Sequence, residues 1–186
     1  GHIYFRSKQM GVIDLATCTE KELKPLRKEM QMIFQDPFGS LNPRMTVYDT
    51  LAEPLLLHGI CERKAVARHV AKLMDDVGLA RAFIRKYPHE FSGGQRQRIA
   101  IGRALATQPE FIVADEPVSA LDVTIQAQIL DLLEALGREY DLTMLFVSHD
   151  MAVIRQIADR MIVMYRGQLV EEGPSAAVFA NPSAEY

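Results

Sequence analysis

The sequence predicts an α/β fold in which helices cover a parallel sheet. Two short apolar runs, residues 112–114 and 144–147, are typical of strands that are buried on both faces. Apolar residues recur between them at helical spacing and predict one apolar helix face: Ile125, Ile129, Leu132, Leu133 and Leu136. Strand, helix and strand in this order form a βαβ unit, whose crossover is expected to be right-handed.

The chain is predicted to have three parts. Residues 1–41 form the first portion of an α/β core, residues 42–107 a helical segment, and residues 108–186 the rest of the core. The first part is expected to hold short strands around a helix near residues 20–28. It is expected to end in a strand at residues 30–34.

Helical spacing is clearest in the middle part, where the predicted core positions are Val47, Leu51, Leu55, Val66, Val70, Leu73, Met74 and Val77. Gly59 and Gly78 are predicted to separate the helices of this part. Near the end of the chain, apolar runs at residues 161–165 and 168–171 predict a β-hairpin.

Composition and charge exclude several classes of function. A net charge of −3 and a pI near 6.0 argue against a nucleic-acid-binding surface. Arg96, Arg98 and Arg103 form one local basic face, which we expect to be exposed to solvent rather than to bind a ligand. No apolar run approaches the roughly 18–20 residues that a membrane-spanning helix needs.

Polar, reactive side chains follow both strands of the βαβ unit. Since ligands of open α/β sheets lie beyond the carboxyl ends of the strands, Asp115, Glu116, Ser148 and His149 are expected at one edge. Asp115 is a candidate Mg²⁺ ligand, because that ion prefers hard oxygen ligands. Glu116 is a candidate general base for an attacking water. His149 is a candidate to contact a γ-phosphate and orient the water. Asp-Glu alone also fits a solvated turn, and Ser-His after the next strand favours the functional interpretation.

A glycine pair opens a predicted helix at Ser92, Gly93, Gly94 and Gln95. Backbone N–H groups at a helix start attract anions, and glycine lets a phosphate approach the backbone closely. An ordinary helix cap is the alternative for Ser-Gly-Gly in isolation. The whole string and the motifs downstream of it favour phosphate binding.

Five motifs in order resemble those of ATP-binding-cassette (ABC) ATPases. Residues 91–98, Phe-Ser-Gly-Gly-Gln-Arg-Gln-Arg, resemble the signature sequence, and residues 111–116 resemble the Walker B strand. Residues 119–122, Ser-Ala-Leu-Asp, resemble the D-loop. His149 resembles the switch histidine, and Gln35 the Q-loop glutamine. The sequence after Gln35 resembles that of the ATPase subunits of dipeptide and oligopeptide importers, a subfamily that includes nickel and glutathione importers. It reads Asp-Pro-Phe-Gly-Ser-Leu-Asn-Pro-Arg-Met-Thr-Val.

The resemblance implies a P-loop NTPase (RecA-like) core with an inserted α-helical subdomain, here residues 42–107. It implies ATP and Mg²⁺ as cofactors, with Gln35 joining Asp115 at the metal. It also implies that Asp122 joins Ser92, Gly93, Gly94 and Gln95 in binding the nucleotide. Glu116 and His149 are the catalytic residues that it implies.

The resemblance further implies partners and a location. One subunit's signature sequence faces the nucleotide of a second ABC ATPase subunit in a head-to-tail dimer, and transmembrane permease subunits receive the motion. The protein is then expected at the cytoplasmic face of the inner membrane, as a peripheral subunit that powers import of peptides or similar small solutes. No nucleic-acid partner is implied.

One motif of the family is absent from the sequence. No Gly-Lys pair occurs, so the G-x-x-x-x-G-K-[ST] loop that cradles phosphates is missing. Residues 1–5 resemble the strand that follows that loop's helix, and residues 181–186 stop where importer subunits continue. We therefore expect a fragment with an incomplete core, inactive and marginally stable or oligomeric by itself. A non-catalytic truncated fragment and a soluble ABC ATPase unrelated to transport are the alternatives.

Overall fold

The computed structural model describes residues 1–182 and forms two compact units, Gly1–Leu145 and the residues from Phe146 onward. The strands are β1 Tyr4–Ser7, β2 Gly11–Asp14, β3 Met30–Ile33, β4 Phe111–Asp115, β5 Thr143–Val147, β6 Arg160–Tyr165 and β7 Gln168–Pro174. The helices are α1 Glu20–Leu26, α2 Pro37–Ser40, α3 Val47–Leu57, α4 Val66–Asp76, α5 Gly93–Leu105, α6 Val123–Glu139, α7 Met151–Ile157 and α8 Ser175–Ala180. The division of the chain into three parts stays a prediction. Of residues 181–186, where importer subunits are expected to continue, residues 183–186 lie outside the described residues.

The first unit contains the sheet that the sequence predicts. Strands β3, β4 and β5 lie side by side in that order, and β3 pairs with β4 in parallel, with Ile33 opposite Ala114. Helix α6 connects the neighbouring strands β4 and β5, so the predicted strand–helix–strand unit is confirmed. The handedness of its crossover stays a prediction. Strands β1 and β2 form a separate antiparallel pair.

Helix α5 is the centre of the first unit and packs against α2, α3, α4, α6 and β3. Its apolar residues are buried, and so are the positions that helical spacing predicts for the middle part: Val47, Leu51, Leu55, Val66, Val70, Leu73, Met74 and Val77. Gly59 and Gly78 follow α3 and α4 with φ of +61° and +66°, a conformation that favours glycine after a helix. Within residues 1–182, no helix is both long and apolar enough to cross a membrane.

Strand β5 corrects one prediction. The sequence predicts burial of both of its faces, but Leu145 and Val147 are 49% and 43% exposed. Among residues 1–182, the face of β5 that carries these two side chains is partly open to solvent. An apolar run favours a strand, but it does not specify what packs against each face.

The second unit is built around a hairpin. Strands β6 and β7 pair antiparallel, and Arg166 and Gly167 form the turn with φ of +49° and +79°. The predicted hairpin is thereby confirmed. Its small core consists of Ile154 from α7, Met161 from β6 and Val178 from α8. Helix α7 begins after Asp150, whose side chain accepts a hydrogen bond from the backbone N–H of Ala152 at 2.8 Å.

A polar triad joins helix α4 to the end of α6. Lys72 Nζ donates to Asp76 Oδ2 at 2.7 Å and to the Tyr140 hydroxyl at 2.8 Å, and that hydroxyl donates to Asp76 Oδ2 at 2.5 Å. The Asp76 carboxylate and the Tyr140 hydroxyl raise the pKa of Lys72. Burial and the hydrogen bond to Asp76 raise the pKa of Tyr140.

Tyr140→Phe is expected to lower the free energy of unfolding by about 1–2 kcal/mol, because it removes two hydrogen bonds to charged groups that are partly solvated. Since both pKa values are raised, this contribution is complete below their ordinary values of about 10 and is lost only as the pH rises further. Urea unfolding at neutral pH measures the difference. Tyr4→Phe on an exposed strand is the control, and equal stability of the two variants contradicts the prediction.

Candidate functional site

The backbone turns sharply where β4 ends. Asp115 is the last residue of the strand, and Glu116 after it has φ of +43°. This left-handed conformation costs a residue with a side chain about 1–2 kcal/mol. The turn is held by Ser119, whose backbone N–H and hydroxyl both donate to the Glu116 carbonyl, at 3.2 and 3.1 Å. Such outliers cluster at functional sites.

Gln35 lies against Glu116. Its Nε2 donates to Glu116 Oε2 at 2.8 Å, although 81 residues separate the two in the chain. The parallel pairing explains the contact, since Gln35 follows β3 closely and Glu116 follows β4 directly, and the two strands end at the same edge. The structure therefore brings two of the predicted site residues into direct contact, next to a third, Asp115.

The donor atoms at this edge suit a magnesium ion. Asp115 supplies a half-buried carboxylate. Because Gln35 uses its amide nitrogen toward Glu116, its carbonyl oxygen is the atom it would offer to a metal. One carboxylate and one amide oxygen are hard ligands, and Mg²⁺ takes few protein ligands and completes its shell with water and phosphate. Residues 1–182 contain no group of three or more His, Cys, Asp or Glu side chains arranged to hold a metal by themselves.

The start of α5 is capped by its own residues. The backbone N–H of Gln95 donates to Ser92 Oγ at 3.3 Å, and the backbone N–H of Ser92 donates to Gln95 Oε1 at 3.1 Å. This capping box uses the amides of Ser92 and Gln95 and leaves those of Gly93 and Gly94 outside it. A helix of 13 residues lies behind them, so the dipole favours an anion here.

The two glycines differ in what surrounds them. A Cβ atom on Gly94 would lie 2.4 Å from Ile125 Cγ2, whereas one on Gly93 would lie at an ordinary 3.4 Å from Leu121 Cδ2. Gly94 is therefore required by the close packing of α5 on α6, a reason that sequence reasoning missed. Asp122, which precedes Ile125, caps α6 by accepting a hydrogen bond from the backbone N–H of Ile125 at 3.0 Å.

The three arginines of α5 correct another prediction, because they do not form a solvent-facing surface. Each donates to a backbone carbonyl of a neighbouring segment: Arg96 Nε to Pro88 at 2.6 Å, Arg98 Nη1 to Val77 at 2.7 Å and Arg103 Nη1 to Ser40 at 2.5 Å. Burial lowers the pKa of Arg103, and the nearby Glu53 offsets part of that effect. These guanidinium groups hold the neighbouring segments onto α5. The sequence does not reveal these carbonyl partners, so it cannot distinguish such arginines from surface arginines.

His149 belongs to the second unit. It is exposed and lies between the end of β5 and the start of α7. Ser148 before it accepts a hydrogen bond from the backbone N–H of Asp150 at 3.0 Å, which fixes the turn that carries the histidine. The role of His149 toward a phosphate stays a prediction.

The chain is similar to known proteins over much of its length. The ABC transporter family model matches residues 1–119. The glutathione import ATP-binding protein GsiA of Pectobacterium atrosepticum is 54% identical over 164 residues, which are 88% of this chain and 26% of that protein. GsiA of Escherichia coli K12 is 50% identical over 186 residues, 100% of this chain and 29% of that protein. The chain thus spans less than a third of the length of these relatives.

Solved structures have the same fold. The dimeric bacterial ABC transporter cassette MJ0796 superposes with a TM-score of 0.79 at 29% identity, covering 94% of this chain and 73% of that one. CbiO1 of Clostridium perfringens, part of the ABC transporter complex cbiONQ, superposes with a TM-score of 0.78 at 26% identity. That match covers 87% of this chain and 63% of CbiO1.

Proposed function

Because this chain belongs to the ABC transporter family, we propose that it is part of an ATP-binding and ATP-hydrolysing subunit that powers import of glutathione or short peptides. The observation that supports the proposal is the hydrogen bond between Gln35, a candidate metal ligand, and Glu116, a candidate base. The similarity to GsiA along the whole chain supports glutathione, a tripeptide, as the solute class.

The chemistry assigned to this edge is hydrolysis of the γ-phosphate. Asp115 and Gln35 would hold the magnesium of the bound nucleotide, and that ion would supply positive charge to offset the charge of the phosphates. Glu116 accepts a proton from the attacking water as the new bond to phosphorus forms and the bond to the β–γ bridging oxygen breaks. His149 orients that water and contacts the γ-phosphate. The hydrogen bond from Gln35 Nε2 to Glu116 Oε2 supports this assignment, because it brings the candidate base and a candidate metal ligand together.

A second copy or a related subunit completes each site. The start of α5, Ser92 to Gln95, and the D-loop residue Asp122 contact the nucleotide of the facing subunit. A dimeric relative and the uncapped amides of Gly93 and Gly94 support this arrangement. ATP then binds the closed pair more tightly than the open pair and shifts the population toward closure. Permease subunits receive that motion at the cytoplasmic face of the membrane.

We also propose how the ABC cassette fold is divided in this chain. Residues 42–107 form an α-helical subdomain inserted into a RecA-like P-loop core. The sequence contains no G-x-x-x-x-G-K-[ST] loop, so these 186 residues by themselves are proposed to lack ATPase activity. The activity belongs to the full-length subunit with its partners.

Uptake into reconstituted vesicles tests the function. The full-length subunit, purified with the permease subunits encoded beside it, is expected to import labelled glutathione only with ATP and Mg²⁺, and unlabelled dipeptide is expected to compete. His149→Ala is expected to abolish hydrolysis and uptake together. If the rate of ATP hydrolysis is the same with and without the permease subunits, and neither solute is taken up, a soluble ABC ATPase is favoured instead.

A further inference from the structure

We propose that Arg96 is a positioning residue that holds the Gln35 segment against the start of helix α5, so that the two act as one piece during hydrolysis. The inference rests on the proposed function. The juxtaposition that carries it is the Arg96 guanidinium on the ring of Phe38, three residues after Gln35. Its carbon lies 3.5 Å from the ring centroid.

Arg96 is bound firmly on one side. The residue is only 7% exposed, its Nε donates to the Pro88 carbonyl at 2.6 Å, and its Nη2 reaches the His89 carbonyl at 3.5 Å. Within residues 1–182, its Nη1 is buried and has no hydrogen-bond partner. Buried donors are normally paired, so hydrogen bonds do not hold this guanidinium on every side. The group instead presents its flat face to an aromatic ring, which attracts the positive charge.

Phe38 is bound weakly apart from this contact. Its side chain is 65% exposed, so burial does not fix it. It lies in α2, where its backbone N–H donates to Asp36 Oδ1 at 2.8 Å, and the other end of α2 is held by Arg103 Nη1 on the Ser40 carbonyl. Two guanidinium groups of α5 therefore hold α2, and Arg96 is the nearer of them to Gln35.

The contact joins two halves of the proposed site. Arg96 lies one helical turn after Ser92, which begins α5, and Phe38 lies just beyond Gln35, which bonds Glu116. A shift of the α5 start is then transmitted through the stacked pair to the base. Loss of the stack should loosen Gln35 and impair turnover, while the residues assigned to nucleotide binding remain in place.

Steady-state kinetics of the full-length ATPase test this inference. Arg96→Met and Phe38→Leu are each expected to lower kcat about two- to fivefold, with KM for ATP nearly unchanged, as loss of one cation–π contact on a partly exposed ring predicts. Arg96→Lys keeps the charge but loses the planar fork, so it is expected to resemble Arg96→Met. Phe38→Tyr keeps the ring and is expected to lose much less than Phe38→Leu.

A double variant and a matched control separate positioning from stability. Arg96→Met with Phe38→Leu should be no slower than either single variant, because both remove one contact. Arg155→Met removes a guanidinium from the ring of Phe179 in the second unit and is expected to change Tm without this loss of kcat. The inference is overturned if the losses of kcat in the two single variants multiply in the double variant. It is also overturned if kcat falls only in proportion to Tm. Absence of ATP-dependent uptake by the wild-type protein would refute the proposed function, whereas a fully active Arg96→Met enzyme beside an inactive Glu116→Gln enzyme would refute this inference alone.

Discussion

Glu116→Gln is expected to slow ATP hydrolysis by the full-length protein about 10²–10⁴-fold while ATP still binds. The amide keeps an oxygen that can accept the hydrogen bond from Gln35 Nε2, and the side chain keeps its length. The turn at the end of β4 is held by the main-chain carbonyl of this residue, which the substitution does not alter. The substitution removes the negative charge and with it the ability to take a proton from water.

Phosphate release and nucleotide binding measure these two quantities separately. With ATP bound and not consumed, the variant is also expected to accumulate as a closed dimer, which light scattering after gel filtration detects. Glu62→Gln is the matched control, since this glutamate is exposed and pairs with the nearby Lys64 at 2.8 Å. Hydrolysis at the wild-type rate in Glu116→Gln would remove Glu116 from the role of base.

Local patterns predicted most of the elements because those elements depend on local chemistry. The helical spacing of α3, α4 and α6, the glycines after α3 and α4, and the β6–β7 hairpin are all present in the structure. Strand β5 formed as predicted, but its exposed Leu145 and Val147 show that an apolar run does not specify its covering. Residue type likewise suggested exposed arginines on α5, but Arg96 is buried, Arg98 and Arg103 are half-buried, and each donates to a backbone carbonyl of a neighbouring segment.

The candidate site was only partly within reach of sequence reasoning. Asp115 and Glu116 could be placed because a strand end fixes where the following side chains lie. Gln35 was identified through its resemblance to a family motif, since nothing local in the sequence indicates contact with Glu116 across 81 residues. The packing of Gly94 on Ile125 was not anticipated, because a glycine that avoids a clash cannot be distinguished in sequence from one that admits a ligand.

Gly94→Ala is expected to lower the free energy of unfolding by about 1–3 kcal/mol, the usual cost of overpacking. In a helix without close neighbours the same change would stabilise by up to about 1 kcal/mol, because alanine has the higher helix propensity. Here the new Cβ would lie 2.4 Å from Ile125 Cγ2, so the start of α5 or the Ile125 side chain must move. Urea unfolding measures the sign, and the sign distinguishes the two effects.

Two further variants test whether the cost of Gly94→Ala comes from the contact with Ile125. Gly93→Ala should be tolerated, because its Cβ would meet Leu121 Cδ2 at 3.4 Å. In an Ile125→Ala background, Gly94→Ala should become neutral or stabilising, since the atom it strikes is gone. Equal costs at both glycines, or a cost that persists without Ile125, would show that packing does not require Gly94. If the double variant regains stability but hydrolyses no ATP, Gly94 also contributes to nucleotide binding. If stability and ATP hydrolysis both return, the role of Gly94 is packing alone.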